Sequence, residues 1–188
     1  MTADTNGIRL RRYTSADTAS VHEAALESSA DIFPWMPWCH PGYSLAEATA
    51  WVDSRERLFA DGQEYSFAIV DPAGRFLGTC DLNRIDRGHR VANVGYWVRT
   101  SATGRGVAPA AIRELARFAF GETDLVRLEI VCAVGNERSR RAAEKAGAAR
   151  EATLRDRLFF HGRSHDAVLY VLLRSSWDAL TAAPCGER

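Results

Sequence analysis

The stretch VGYWVRTSATGRGVAPAAIRELARFAF, Val94–Phe120, decides how the rest of the chain is read. It opens as an alternating aromatic strand and closes as an amphipathic helix, with its apolar residues recurring every three or four positions from Val107. Thr103, Gly104, Arg105, Gly106, Val107 and Ala108 stand between them. A glycine loop that feeds a helix N-terminus is a place for an anion. The first helical turn has unpaired N–H groups and the positive end of the dipole. Glycine lets that backbone approach phosphate oxygens without a Cβ in the way, and Arg105 adds a charged donor. The loop lacks the Lys-Ser/Thr of a phosphate-loop NTPase. It is also not Gly-x-Gly-x-x-Gly, since Pro109 stands where the third glycine would be. On the loop alone, a plain strand-to-helix turn explains the glycines as well as a phosphate-bearing ligand does.

Working outward, the pattern predicts a strand at IRLRRY (Ile8–Tyr13), then a helix capped by Ser15 or Asp17. An irregular Trp/Pro segment follows at Asp31–Ser44, then a second helix closed by Gly62. Two strands surround the turn Asp71–Gly74. A turn at RIDRGHR precedes the strand that leads into the glycine loop. Beyond the loop helix come a strand at Val126–Val134 and a short helix with Asn136 as cap and Gly147 as stop. A hairpin closes the order around His161-Gly162. Antiparallel strands followed by a strand–helix–strand crossover imply a mixed sheet with helices on its faces, an α/β (α+β) single domain over 1–188. Its core is expected at about 8–180, with a frayed tail at 181–188.

Composition narrows the functional classes. The 188 residues carry 24 basic and 24 acidic side chains, so no global field draws the chain to nucleic acid or anionic lipid, and neither partner is expected. No stretch approaches the roughly 20 apolar residues of a membrane helix, and the start has no signal-peptide run, so a cytoplasmic location is expected. Cys39, Cys80, Cys132 and Cys185 form no close pair, and the five histidines lack a ligand spacing, so no metal is expected.

Four segments in order resemble the GCN5-related N-acetyltransferase (GNAT) superfamily, over about Ile8–Leu180. The glycine loop is similar to its Gln/Arg-x-x-Gly-x-Gly/Ala acetyl-CoA segment at Thr103, Gly106 and Ala108, with Thr103 in place of the long donor. NERSRRAAEKAG resembles the Asn-x-x-Ser and Glu-Lys-x-Gly of the ribosomal-protein N-terminal acetyltransferase (RimJ/RimL-like) branch, at Asn136, Ser139, Glu144, Lys145 and Gly147. IFPWMPWCHP, with Trp35, Pro37 and Trp38, and the closing HGRSHDAVLYVLL resemble segments of the same branch.

The resemblance implies a mostly antiparallel sheet of about seven strands, opened by a cleft between splayed strands. It implies acetyl-CoA as cosubstrate, with pyrophosphate on the amides of Gly104, Arg105, Gly106, Val107 and Ala108, beside Thr103. Pantetheine would bond to the backbone around Val98 and Arg99 and to the Asn136 side chain, and Ser139 would protonate the leaving thiolate. Many members place a tyrosine in that helix, and this chain has none there. Asn93 occupies the position of a frequent glutamate base. It cannot take a proton but can hold a water or a substrate N–H, which leaves Asp81 and Glu27 as candidate bases. Trp35, Trp38 and Tyr96 would wall the acceptor and acyl channel, and Arg138, Arg140 and Arg141 would either face solvent or meet the 3′-phosphate. Structural alternatives remain for each: Asn136 as a helix cap, Ser139 as a solvent-facing serine, the tryptophans as core.

The implied reaction is direct attack of a primary amine on the thioester, with a backbone amide near Val98 polarising the carbonyl. A protein N-terminal α-amine is the first acceptor implied. A small-molecule amine such as an antibiotic or polyamine, or a non-catalytic acyl-CoA-binding module, is the alternative. A monomer or homodimer would suit the family.

Overall fold

The computed structural model describes residues 7–177; the expected tail at 181–188 and Cys185 lie outside the described residues. Seven strands form one sheet: β1 (Arg9–Arg12), β2 (Tyr65–Val70), β3 (Phe76–Asp86), β4 (Val91–Val98), β5 (Arg127–Ala133), β6 (Ala149–Phe160) and β7 (Arg163–Leu173). Their spatial order is β1-β2-β3-β4-β5-β7-β6. Every neighbouring pair is antiparallel except β4 with β5, which a helix joins. The helices are α1 (Thr18–Ile32), α2 (Leu45–Ala60), α3 (Val107–Glu122) and α4 (Glu137–Lys145).

Strand alternation sends side chains to two cores. On β2, Phe67 and Ile69 join the core under α3 and α4, while Ala68 and Val70 join the core under α1 and α2. On β4, Ala92 and Val94 take the α3 side and Trp97 the α1/α2 side. Small residues let α3 lie close to the sheet. Ala110, Ala111, Ala116 and Ala119 are buried beside Ile112 and Leu115.

The parallel pairing of β4 and β5 is short. It runs from Val91 opposite Arg127 to Asn93 opposite Glu129 and stops there, although β4 continues to Val98 and β5 to Ala133. The upper half of β4 is therefore bonded on the β3 side only. That divergence opens the sheet in its middle.

Two expectations differ in detail. The chain continues as β3 through Arg84–Asp86 before it turns. Neither Ser15 nor Asp17 caps α1 with its side chain. A 3-10 turn at Ser15–Asp17 precedes the helix, and Asp17 instead receives Arg11 at 2.6 Å and the Thr14 amide at 2.8 Å. The buried carboxylate gains more from a fixed arginine than from a cap position.

Candidate active site

A cavity of about 670 Å³ passes through the opened sheet. Its walls come from the Trp-rich segment, β3, β4, β5, the start of α4 and β6. The two faces of β4 give it two unlike sides.

On the α3 side, Tyr96 projects from β4 to the first turn of α4. Its hydroxyl lies 2.8 Å from Ser139 Oγ and donates to the Ser139 carbonyl at 2.9 Å. Cys132 Sγ, from β5, lies 3.1 Å from the same Oγ. Asn136 fixes this turn, because its Oδ1 accepts the Ser139 amide at 3.1 Å. Its cap role is thus present, and it also lines the cavity. Helix α4 has no tyrosine, but tertiary folding brings a phenol to Ser139 from another element. Burial pushes the Tyr96 phenol well above its ordinary range, and burial likewise raises Cys132. All three groups stay protonated at neutral pH.

The glycine loop lies at the end of the same strand. Gly104 and Gly106 have φ of 74° and 76°, which residues with a Cβ rarely adopt, and Gly106 is the N-cap of α3. A Cβ on Gly104 would meet nothing within 4 Å, so open space stands against the loop. Thr103 turns its hydroxyl back to the Thr100 carbonyl at 2.8 Å. The amides of the first turn of α3 have no intrahelical acceptor by the geometry of any helix, Pro109 apart. The cradle therefore fits a diphosphate through backbone groups from Gly104 to Ala108.

The start of the loop is tied to α1. Arg99 holds Glu23 at 2.7 Å, Glu27 more closely, and the Phe76 carbonyl at 3.3 Å. Glu27 also accepts the Ser101 amide at 2.7 Å, Ser28 Oγ accepts the Thr100 amide at 3.0 Å, and Asp31 accepts the Thr100 hydroxyl at 2.7 Å. The cofactor contact expected of Arg99 is through its backbone, while its side chain is anchored to α1. Its guanidinium is engaged with two carboxylates, and its amide donates to Leu77 on β3 at 2.8 Å. Since successive strand amides face opposite ways, that bond turns the backbone groups of Val98 toward the gap left by β5. Glu27 is equally engaged. The Arg99 guanidinium holds its carboxyl down at about 2, too acidic for a base at neutral pH. The arginines of α4 are also partly occupied: Arg138 meets Asp31 at 3.2 Å, Arg140 the Val134 carbonyl at 3.1 Å and Arg141 Glu137 at 3.5 Å.

On the α1/α2 side, Asp81 of β3 lies opposite Gly95 of β4. A Cβ on Gly95 would stand 2.8 Å from Asp81 Oδ1, so the carboxylate occupies the space a side chain would fill. Asn83 Nδ2 donates to Asp81 Oδ1, and Asn93 Nδ2 donates to Asn83 Oδ1 at 2.9 Å. Asn93 is thus the outer link of a relay that ends on a carboxylate. Burial raises Asp81 to about 6, against the lowering effect of Asn83. Around it stand Trp35, Met36, Trp38, Tyr43, Trp51 and Trp97. Trp38 meets Trp97 and Tyr43 edge-on, each at 5.6 Å between ring centres. Trp35 covers the turn after β5, where a Cβ on Gly135 would be 3.4 Å from its ring. Sequence reading missed the relay as a unit. Its signal was present: Asp81 and Asn83, two apart on a strand, face one way, and Asn93 and the side-chain-free Gly95 stand across from them.

Residues 8–149 match the acetyltransferase (GNAT) domain family. The chain belongs to the GNAT acetyltransferase family. YdaF of Bacillus subtilis (strain 168), provisionally named a ribosomal N-acetyltransferase, is 40% identical over 105 residues, 56% of this chain. The chain spans 57% of that relative's length in the match. The crystal structure of a probable acetyltransferase superposes with a TM-score of 0.83 at 30% identity, covering 94% of this chain and 99% of the other. RimL, a ribosomal L7/L12 α-N-protein acetyltransferase solved with coenzyme A, superposes with a TM-score of 0.82 at 22% identity, covering 89% and 94%, which speaks for the fold. The expected fold class, a mostly antiparallel seven-stranded sheet between helices, is therefore the observed one.

Among the described residues, no helix of this GNAT domain is long and apolar enough to cross a membrane, and no group of three or more His, Cys, Asp or Glu could hold a metal.

Proposed function

We propose that this chain transfers the acetyl group of acetyl-CoA to a primary amine, first of all the N-terminal α-amine of a protein. The observation that carries this is the division of labour across β4: hydroxyl and thiol donors on one face, a carboxylate raised to about 6 on the other. The thioester supplies an activated acetyl group, and the protein's residues do the rest. The first turn of α3 binds the diphosphate, and the edge of β4 around Val98 binds the pantetheine as an added strand would. Asn136 holds the turn of α4 in place, and its amide faces the same cleft.

An amine attacks only when neutral. An α-amine, with a pKa near 8, is neutral in about one molecule in ten at pH 7. Asp81 is ionised in most molecules at that pH and accepts the proton, with Asn83 and Asn93 orienting carboxylate and amine. A lysine amine, near 10.4, would ask about 4–5 kcal/mol of the same modest base. The aromatic walls attract the cationic amine before it loses its proton.

Tyr96 and Ser139 act on the departing sulfur. A thiol titrates near 8.5 and the buried phenol far above it, so Tyr96 keeps its proton and acts on the thiolate through Ser139, whose hydroxyl is the group that donates a hydrogen bond to the sulfur. Ser139, held by both Tyr96 and Cys132, relays that donation. Cys132 is not needed as a nucleophile, because its thiol is raised and protonated.

The test is calorimetric titration with acetyl-CoA, followed by amine-dependent release of CoA with short peptides and with spermidine. Micromolar binding that is lost in Gly106→Trp, and turnover with the peptides, are expected. Binding without turnover on any amine would mark a non-catalytic acyl-CoA-binding module, and turnover on spermidine alone would mark a small-molecule enzyme.

A further inference from the structure

The strand that carries Asp81 is irregular just beyond it. The register of β3 against β4 shifts between Asn83 and Asp86. Within the shift, Arg84 has a φ of 48°, a left-handed conformation that is unfavourable for a residue with a side chain. The consequence is visible in the packing. Leu82 is buried in the α3 core and Ile85 packs against that same core, although residues three apart on a regular strand face opposite ways. The extra residue absorbs the mismatch. Asn83 and Arg84, which neighbours on a regular strand would send to opposite faces, both line the cavity beside Asp81 and Asn93.

Arg84 therefore stands exposed at the mouth of the acceptor side, on a backbone conformation that persists at a cost. On the same side of the sheet, Arg55 is held by Glu64 at 2.6 Å and Arg99 by Glu23 and Glu27. Among the described residues Arg84 has no hydrogen bond, ion pair or ring contact. A guanidinium without a partner, at a cavity whose walls are largely aromatic but also carry Asp81 and Glu47, disfavours a polycation and offers a fork for a planar anion.

We propose that Arg84 anchors a carboxylate of the acceptor, so that preferred acceptors are peptides with an acidic residue close behind the reacting α-amine. This rests on the acceptor reading above. Asp81 would take the amine end and Arg84 the acid, so one pocket reads both charges of the peptide. Arg84 is here a specificity residue, with no part in the transfer itself.

The test uses four acetyl acceptors with amidated C-termini, identical except for Glu, Asp, Gln or Lys at the second position, and one dipeptide with a free C-terminal carboxylate. Wild type, Arg84→Gly and Arg84→Glu are compared by CoA release. Gly retains the left-handed backbone, so the bulge survives while the guanidinium is lost. For wild type, kcat/KM is expected to be about tenfold higher for the acidic peptides than for the Lys peptide. Arg84→Gly should level the series, and Arg84→Glu should reverse it. The dipeptide separates a side-chain carboxylate from a main-chain one. A preference for it over the acidic peptides would overturn the proposal of an acidic side chain. A wild-type series that is flat, or an equal loss on every peptide in Arg84→Gly, would overturn the proposal and leave acetyl transfer standing. No release with any peptide would overturn the acceptor reading and this inference with it.

Discussion

The two faces of β4 were built in different ways. On the α3 side, the groove proposed for acetyl-CoA is a property of consecutive residues: a strand end, two left-handed glycines and a helix start, all between Val98 and Ala108. On the α1/α2 side, nothing consecutive makes the site. Asp81, Asn83, Asn93, Trp38 and Trp51 come from separate segments and meet only in the folded chain. Binding a constant ligand through backbone amides requires a conformation, and a short stretch can encode one. Choosing an acceptor requires side chains converging from several directions, which a short stretch cannot encode.

The strongest test of that contrast removes the acceptor-side carboxylate. Asp81→Asn is expected to lower kcat/KM for the amine by about 10²–10³ while leaving the calorimetric affinity for acetyl-CoA unchanged. In the wild type, activity should fall with pH below about 6, where Asp81 takes up its proton, and Asp81→Asn should lack that limb. Stability should move the opposite way. The folded pKa is raised from 3.8 to about 6, so the contribution of Asp81 to stability is fully present below 3.8 and is lost as pH rises through about 6. At pH 7 the asparagine variant should therefore be more stable, by on the order of 2 kcal/mol, as read from the urea midpoint. A variant both inactive and destabilised would mean that Asp81 holds the sheet together rather than serving chemistry.

The next test is on the other face. Tyr96→Phe should reduce kcat by about 10- to 100-fold with little change in KM for the amine, because the lost hydrogen bond matters only once the sulfur carries charge. A change confined to KM would show that the phenol merely lines the acyl channel.

The smallest effect on chemistry is expected at the clamp behind both faces. Glu27→Gln breaks the pair with Arg99 and should cost about 2 kcal/mol of stability, with the activity of the folded fraction nearly retained. The carboxyl is lowered from 4.5 to about 2, so its contribution is present above 4.5 and is lost as pH falls toward 2. Loss of activity without loss of stability would restore Glu27 as a base.

Much of the fold was legible because it depends on local periodicity. The alternation in Val94–Val98, the helical spacing from Val107 and the stop at Gly147 each mark an element boundary through short-range physics. The departures lie where a distant partner outweighed a local preference. Asp17 pairs with Arg11 instead of capping α1 with its side chain, and the helix without a tyrosine received one from β4. Arg84 is the same lesson in backbone form. Its left-handed bulge reconciles Leu82 and Ile85 with one core, and no neighbour in sequence requires it.

By itself, then, the sequence determined the order of the elements, the glycine loop with its helix start, and the asparagine that caps α4, because each is settled by φ, ψ and hydrogen bonds within a few residues. Only the tertiary structure decided where β4 and β5 part, that Asp81 fills the space left by Gly95, and which arginine lines the cavity. Those outcomes depend on burial and on partners many residues apart, and desolvation is a property of the packed molecule rather than of any segment.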